Sequence, residues 1–349
     1  MIKMFTDTLD KDFKSIDVSL LDSFKNKTVL VTGSTGLIGS IFTKFMLYAN
    51  ENYDLNIKIL ALVRNLQKFN DIYGLYSDRL KTYNCDLSLD ELTINEPVDF
   101  ILHAAAITTS KTMITSPVDV ISTSVNGTTK ILKLATEKHA KLIFLSSMEV
   151  YGSISQDTKA RECDLGYINL ESIRSCYPES KRLCEVLCRA YSHQYKTQVI
   201  IARLSQVFGA GVLKTENRVF AQFCRSAINN KDIILKTQGL SEGNYTYSSD
   251  AISAFLILFN NGLTGETYNI SNETTHCTIK ELAELASNVV AHGKSKVRID
   301  VDEDNTNGYA DDVKLFLDST KIRKLGWNPQ VDLDEAFIRL ATYMRETEN

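Results

Sequence analysis

The sequence predicts an α/β fold, a doubly wound parallel sheet followed by a smaller C-terminal α/β lobe. Three observations carry that reading. Residues 28–32, ThrValLeuValThr, are a short β-branched apolar run of the kind that fills a central parallel strand. Gly33, Gly36 and Gly39 follow at the spacing Gly-x-x-Gly-x-x-Gly, and Leu37, Ile38, Ile41, Phe42, Phe45 and Met46 then recur at helical period. Strand-like and helical stretches alternate from there to about residue 204, a pattern whose right-handed crossovers place every strand's C-terminal end on one edge.

A strand, a tight turn and a helix N-terminus together make an anion site. The first glycine permits the turn, the second lets backbone approach a pyrophosphate, and the third lets helix pack on sheet; the helix dipole favours the negative charge. Thr28 to Gly39 therefore reads as a Rossmann-type dinucleotide turn.

Composition sets the outer bounds. In 349 residues, 44% are hydrophobic and 23% charged, and a net charge of −4 gives no footprint for nucleic acid. Seven cysteines without regular spacing argue against a disulfide framework. Cys184 and Cys188 share a helix face but lack zinc-like companions, so no metal is expected and they read as core residues. No apolar leader and no membrane-length apolar run occurs, and the expected location is cytoplasmic.

Ahead of the first strand, residues 1–26 carry Phe13, Ile16, Leu20, Leu21 and Phe24 at roughly helical spacing, a helical extension. Residues 57–63 form the second strand, ending at Arg64 and Asn65. An acid at that end would hold the adenosine ribose, whereas arginine accommodates a 2′-phosphate, so Arg64 favours NADP slightly over NAD. The third strand ends near Asp86 and Leu87. The fourth, residues 100–102, opens into His103, Ala104, Ala105 and Ala106, small residues against which a flat cofactor can lie. A helix over 118–139 leads to the fifth strand, 142–145, and to SerSerMetGluValTyrGly at 146–152. Strands at 199–204 and 232–236, a helix ending near Asn230, short strands at 245–247 and 267–270, and two helices flanking the acidic loop 300–312 complete the chain.

Tyr177 and Lys181 lie four apart and share one helix face, with Pro178 in its first turn. A phenol titrates near pH 10; a neighbouring ammonium and an oxidised nicotinamide both favour the phenolate and would lower that value. The phenolate takes a proton from a substrate hydroxyl while hydride leaves the same carbon. Ser147, at a strand end, is placed to hydrogen-bond the same oxygen, and Lys181 to hold the nicotinamide ribose.

With these residues in view, the chain resembles the extended short-chain dehydrogenases/reductases that modify nucleotide sugars: epimerases, dehydratases and decarboxylases. The resemblance covers about residues 27–347. It is carried by ThrGlySerThrGlyLeuIleGly at 32–39, Asp86 with Leu87, HisAlaAlaAla at 103–106, Asn126, residues 146–152, Tyr177 with Lys181, and LeuGlyTrpAsnPro at 325–329. It implies catalysis by Ser147, Tyr177 and Lys181. It also implies cofactor contacts from Gly33, Thr35, Gly36, Leu37, Ile38, Gly39, Arg64, Asp86, Leu87, Ala104, Ala105, Ala106, Tyr177 and Lys181, and substrate contacts from Gln206, Arg218 and Val219.

Within that family, ArgSerCysTyr-x-Glu-x-LysArg at 174–182 is most similar to UDP-glucuronate decarboxylases, which share a glutamate at the place of Glu149, as do GDP-mannose 4,6-dehydratases. That carboxylate is implied as the base at C5 once C4 is a ketone. Three positions depart from the pattern: Gln206 stands for asparagine, Gly243 for an arginine that holds the nucleotide diphosphate, and Arg64 for an acid; Met148 replaces the acidic proton donor of dTDP-glucose 4,6-dehydratases. Arg218 or Lys214 is the expected substitute cation for the diphosphate.

The resulting expectation is an NAD(P)-dependent nucleotide-sugar enzyme acting through a 4-keto-sugar, decarboxylase- or 4,6-dehydratase-like. The alternatives are 4-epimerisation, NADPH-dependent 4-keto-sugar reduction, and a non-catalytic dinucleotide sensor. Expected boundaries are an extension over 1–26, a dinucleotide domain over 27–206 plus about 238–272, and a nucleotide-sugar lobe over 207–237 and 273–349. A homodimer is implied by the family's habit of pairing through the Tyr177 helix and the one before it.

Overall fold

In a computed structural model, which describes residues 5–154, 158–301 and 312–348, the alternating apolar runs become twelve strands among the described residues. They are β1 (Thr28–Thr32), β2 (Lys58–Val63), β3 (Lys81–Asn84), β4 (Phe100–His103), β5 (Lys141–Ser147) and β6 (Val199–Leu204). After them come β7 (Gln206–Phe208), β8 (Ile233–Leu235), β9 (Glu242–Tyr247), β10 (Thr267–Ile270), β11 (Asn272–Thr278) and β12 (Val297–Ile299).

The helices of the first half are α1 (Asp7–Lys14), α2 (Leu37–Tyr53), α3 (Leu66–Tyr73), α4 (Ser110–Thr115), α5 (Pro117–Lys138) and α6 (Cys176–Tyr195). Those of the second are α7 (Val219–Ile228), α8 (Ser248–Asn261), α9 (Ile279–Ala291), α10 (Thr320–Arg323) and α11 (Leu333–Thr347). Most of the acidic loop noted in the sequence lies outside the described residues.

Seven strands form the central sheet in the order β10-β6-β5-β4-β1-β2-β3, and every neighbouring pair is parallel. All five residues of β1 are buried, as a strand covered on both faces must be. One face packs against α1, α2 and α8 through Phe13, Phe42, Phe45 and Phe255; the other holds Leu30, Ile101, Leu142, Phe144, Cys184 and Cys188. The order reverses at β1, between β4 and β2, so the C-terminal ends of β1 and β4 flank the crevice where such sheets bind ligands.

Thr246 and its neighbours fall in the stretch 238–272 that the sequence groups with the dinucleotide domain; their strand β9 pairs in a three-stranded sheet ordered β11-β9-β7. The physical reason is pairing: Gln206, Val207 and Phe208 of β7 run parallel to Tyr245, Thr246 and Tyr247, while β11 runs antiparallel on the other side. Phe208 stacks on Phe220 at 5.1 Å and meets Phe337 at 5.3 Å, so this sheet and helices α7 and α11 are packed around one aromatic group. The site lies between the central sheet's C-terminal edge and this lobe.

The glycines of the turn have separate jobs. Gly33 has φ +66°, and a Cβ there would stand 2.8 Å from the Ala105 backbone. A Cβ on Gly39 would lie 2.2 Å from the Gly33 carbonyl oxygen, whereas one on Gly36 would meet only that oxygen at 3.3 Å. Gly39→Ala is therefore expected to cost about 3 kcal/mol or more in folding stability, because rigid backbone is struck. A thermal melt of the variant within a few degrees of the parent would contradict this packing.

Candidate active site

Gly36 caps α2 without any side-chain hydrogen bond, leaving the first N–H groups of the helix to face outward. Its own N–H donates to the Gly33 carbonyl at 2.8 Å, closing the turn. Gly33 in turn abuts the backbone of Ala104 and Ala105; Thr35, Leu37 and Ile38 follow it in the turn and the start of α2, and Ala106 follows Ala105. The Ala105 N–H donates to Thr32 Oγ1 at 3.1 Å, and Thr32 Oγ1 also meets His103 Nδ1 at 2.8 Å. Burial drives the His103 pKa down to about 3, with the Lys181 charge adding to the shift, so this imidazole is neutral and ties β4 to β1. A bare glycine-lined helix N-terminus beside three small residues fits a dinucleotide pyrophosphate.

Asp86, after β3, accepts from the Ser88 N–H at 2.9 Å, and Leu87 packs under Gly127 of α5. Arg64 reaches within 4.0 Å of Asp86 and is otherwise exposed. Burial works to raise the Asp86 pKa, but its hydrogen bonds from Ser88 and the Arg64 charge outweigh it and hold the carboxyl below its usual value. Asn126 is exposed on α5.

The catalytic candidates converge where β5 ends. Ser147 begins a 3-10 turn, Met148–Tyr151, and its Oγ accepts from the Glu149 N–H at 3.2 Å. The same hydroxyl lies close enough to the Tyr177 phenol to oppose the rise in its pKa. Tyr177 stands in the first turn of α6, 6% exposed, and Lys181 one turn on is 4% exposed. Lys181 Nζ donates to the Leu145 carbonyl at 2.8 Å and sits 4.8 Å from the Phe144 ring centroid.

The phenol pKa departs from the expected direction. Burial raises it, the Glu149 charge raises it further, and the Ser147 hydrogen bond with the charges of Arg218 and Arg174 only partly oppose them. Lys181 is aimed at a backbone carbonyl rather than at the phenolic oxygen, and its own pKa is lowered by burial. The protein alone thus keeps Tyr177 neutral, and added positive charge is needed to release its proton.

Glu149 and Arg174 form a bidentate pair, Oε2–Nη1 2.7 Å and Oε1–Nη2 3.1 Å. Arg174 comes from the short turn Ile173–Ser175 that precedes α6, so the pair bridges the two segments holding Ser147 and Tyr177. Burial works to lower the Arg174 pKa and Glu149 more than reverses it. Arg174 Nε is buried without a partner. Sequence reasoning quoted Arg174 within its motif but missed this role; a lone acid beside the tyrosine was the available signal.

A second missed pair lies beneath. Glu185, one turn beyond Lys181, accepts from Ser146 Oγ at 2.7 Å and from Arg203 Nε at 2.8 Å and Nη2 at 2.7 Å. Both charges are at most 3% exposed, and the pair staples α6 to the ends of β5 and β6. Removing one partner would strand a buried charge, a loss of about 3–5 kcal/mol.

On the lobe side, Gln206 is half-buried at the start of β7, and Arg218 with Val219 opens α7. Arg218 is paired with Glu216, Nη2–Oε2 2.7 Å and Nε–Oε1 3.0 Å, yet its charge is felt at Tyr177. Lys214 is exposed. A Cβ on Gly243 would meet Met148 Cε at 3.3 Å, so two of the departures read from the sequence face each other. Among the described residues no cluster of three or more metal-ligating side chains occurs, and no helix is long and apolar enough to cross a membrane.

A parallel sheet of this order, with a glycine turn on β1 and a Ser–Tyr–Lys cluster across the crevice, is the architecture of an extended short-chain dehydrogenase/reductase. The chain belongs to the NAD dependent epimerase/dehydratase family, which matches residues 29–271. Among its relatives is UDP-glucuronic acid decarboxylase 1 of Xenopus tropicalis, 26% identical over 330 residues that span 94% of this chain and 75% of the relative. The dTDP-D-glucose 4,6-dehydratase of Homo sapiens is 27% identical over 335 residues, 92% of this chain and 90% of that one. Among solved structures, the dTDP-glucose 4,6-dehydratase of Streptomyces venezuelae, with NAD and TYD bound, matches at TM-score 0.75 and 25% identity, covering 92% of this chain and 98% of the other.

Proposed function

We propose that the protein is a nucleotide-sugar decarboxylase that oxidises the sugar at C4, loses carbon dioxide from C5 and restores the C4 alcohol. The observation that carries this is the Glu149–Arg174 pair next to Tyr177 and Ser147. Bound NAD would supply the hydride acceptor, and later the donor, at C4. Tyr177 takes the proton of the C4 hydroxyl, and Ser147 holds the same oxygen as it becomes a ketone. The ketone makes the C5 carboxylate a β-keto acid. The C5–C6 bond then breaks, its electron pair passes to the C4 oxygen as an enolate, and carbon dioxide departs. Glu149 delivers a solvent-derived proton to C5, and Tyr177 returns its proton to the C4 oxygen.

Two features favour decarboxylation over 4,6-dehydration. Expelling a C6 hydroxyl requires an acid to protonate it, and Met148 has no proton to give; carbon dioxide leaves unaided. A uronate also needs a cation, which Arg174 supplies, charge-assisted and partly desolvated. Asp86 beside Arg64 supports NAD, because a 2′-phosphate would have to displace or tolerate that carboxylate. The NADP reading rests on Arg64 alone.

The test is a panel of UDP-, GDP-, CDP- and dTDP-linked hexuronates and hexoses, read by product mass. Loss of carbon dioxide from one hexuronate supports the reading. Unchanged mass with an altered sugar would make the protein a 4-epimerase, and loss of water a dehydratase.

The pairing surface follows from the same helices. Val118 and Ile121 on α5 and Leu183 and Val186 on α6 are exposed apolar side chains on two mutually packed helices. A homodimer through this face is expected in the cytoplasm-type, reducing setting that seven free thiols suit. Light scattering that returns the monomer mass at micromolar concentration would refute it.

A further inference from the structure

The N-terminal segment lies outside the residues matched by the family, yet it ends in the interior. Asp12 of α1 is 1% exposed. Its Oδ2 accepts from the Tyr247 hydroxyl at 2.7 Å, and its Oδ1 from Arg339 Nη1 of α11 at 2.8 Å. The anchoring is apolar as well: Phe13 meets Phe45 at 5.5 Å and Tyr48 at 5.4 Å, both on α2.

Tyr247 passes this contact on. Its oxygen accepts from the Ala210 N–H at 3.3 Å, and the neighbouring Ser248 Oγ donates to the Ala210 carbonyl at 3.0 Å. A Cβ on Gly209 would stand 2.5 Å from the Tyr247 ring, and one on Gly211 would stand 2.6 Å from Ile41, two residues after Gly39. The stretch 209–211 is therefore wedged between the tyrosine and the helix that carries the dinucleotide turn. Farther along, Arg225 donates to the carbonyls of Leu213, Lys214 and Glu216, and is itself held by Glu348 at 2.9 Å. The segment ends at Arg218.

We propose that Asp12 is a positioning residue: through Tyr247 it fixes the backbone of residues 209–218, and so sets where Arg218 meets the diphosphate of the nucleotide sugar. The family's diphosphate arginine is replaced by Gly243, so more of that contact falls to Arg218. The inference rests on the nucleotide-sugar reading above for its ligand, but the mechanical part stands on the contacts alone. The α1 helix is thus a clasp. Its carboxylate has two partners, the Tyr247 hydroxyl and the Arg339 guanidinium; Glu335 holds the other side of Arg339 at 2.7 Å, and its own negative charge opposes that of Asp12.

The experiment uses the full chain and two variants, Asp12→Asn and Tyr247→Phe, the second keeping the ring that covers Gly209. Hydrogen–deuterium exchange is expected to quicken at residues 210–218 in both, with α5 and α6 unchanged. The UDP dissociation constant, or the KM of the turned-over sugar, is expected to rise about fivefold with kcat within about twofold, the scale of one lost buried hydrogen bond. Unchanged exchange at 210–218 overturns the clasp whatever the ligand. Quickened exchange with unchanged affinity, in a protein whose parent binds UDP, overturns the positioning role. A parent that binds none of UDP, GDP, CDP and dTDP defeats the functional reading instead, and exchange still decides the clasp.

Discussion

Tyr177→Phe is expected to lower kcat about a thousandfold while leaving bound cofactor in place, within the range that loss of one general acid–base group produces. The phenol is buried at 6% exposure, so removing its oxygen leaves the ring packed and the fold intact. What is lost is the proton-carrying phenol oxygen in the first turn of α6, whose pKa the Ser147 hydroxyl acts on. The same geometry fixes the pH dependence of the parent. Burial and Glu149 hold the phenol above its ordinary value, and a positive ring beside it lowers it, so turnover should rise with pH as the phenolate is populated. Stopped-flow measurement of C4 oxidation by reduced-cofactor absorbance checks this. A Tyr177→Phe protein that oxidises substrate at the parental rate would remove the phenol from the mechanism, and would suit a sensor that uses the fold only to bind.

Glu149→Gln should separate the two halves of the reaction. Oxidation at C4 uses Tyr177 and Ser147 and is expected to continue, while proton delivery at C5 fails, so net product falls at least about a hundredfold and reduced cofactor accumulates. Arg174 still has an amide oxygen to bind, which limits the structural damage. A carboxylate that merely tied down its loop would behave differently: the variant would melt lower and lose oxidation and product in step. Full turnover in Glu149→Gln would place the C5 proton elsewhere.

The glycine turn was legible because its constraint is local. Gly33 needs a positive φ and Gly39 needs the absence of a Cβ, and both requirements are written at fixed spacing within seven residues. Tyr177 and Lys181 were legible for the same reason, being one helical turn apart. The direction of the phenol pKa was not, because it depends on what surrounds α6 in space: Lys181 turns to the Leu145 carbonyl, and desolvation outweighs the nearby charges. Likewise β9 reads as a strand from TyrThrTyr, but a period of two cannot say which sheet will receive it; its partners Phe208 and Cys277 are remote in sequence. Asp12 is the extreme case. Its partners lie at positions 247 and 339, and nothing in an aspartate on a charged amphipathic helix marks it as buried.

The measurement that tests the central claim most directly follows a hydride. A UDP-hexuronate carrying deuterium at C4 is incubated with the purified protein in ordinary water, without added cofactor, and the product is read by mass spectrometry and NMR. Oxidation at C4 followed by return of the same hydride predicts loss of carbon dioxide, deuterium still at C4, and one solvent proton newly at C5. Decarboxylated product without deuterium at C4 would contradict return of the same hydride, and carbon dioxide lost with no C4 oxidation detectable would contradict the 4-keto route.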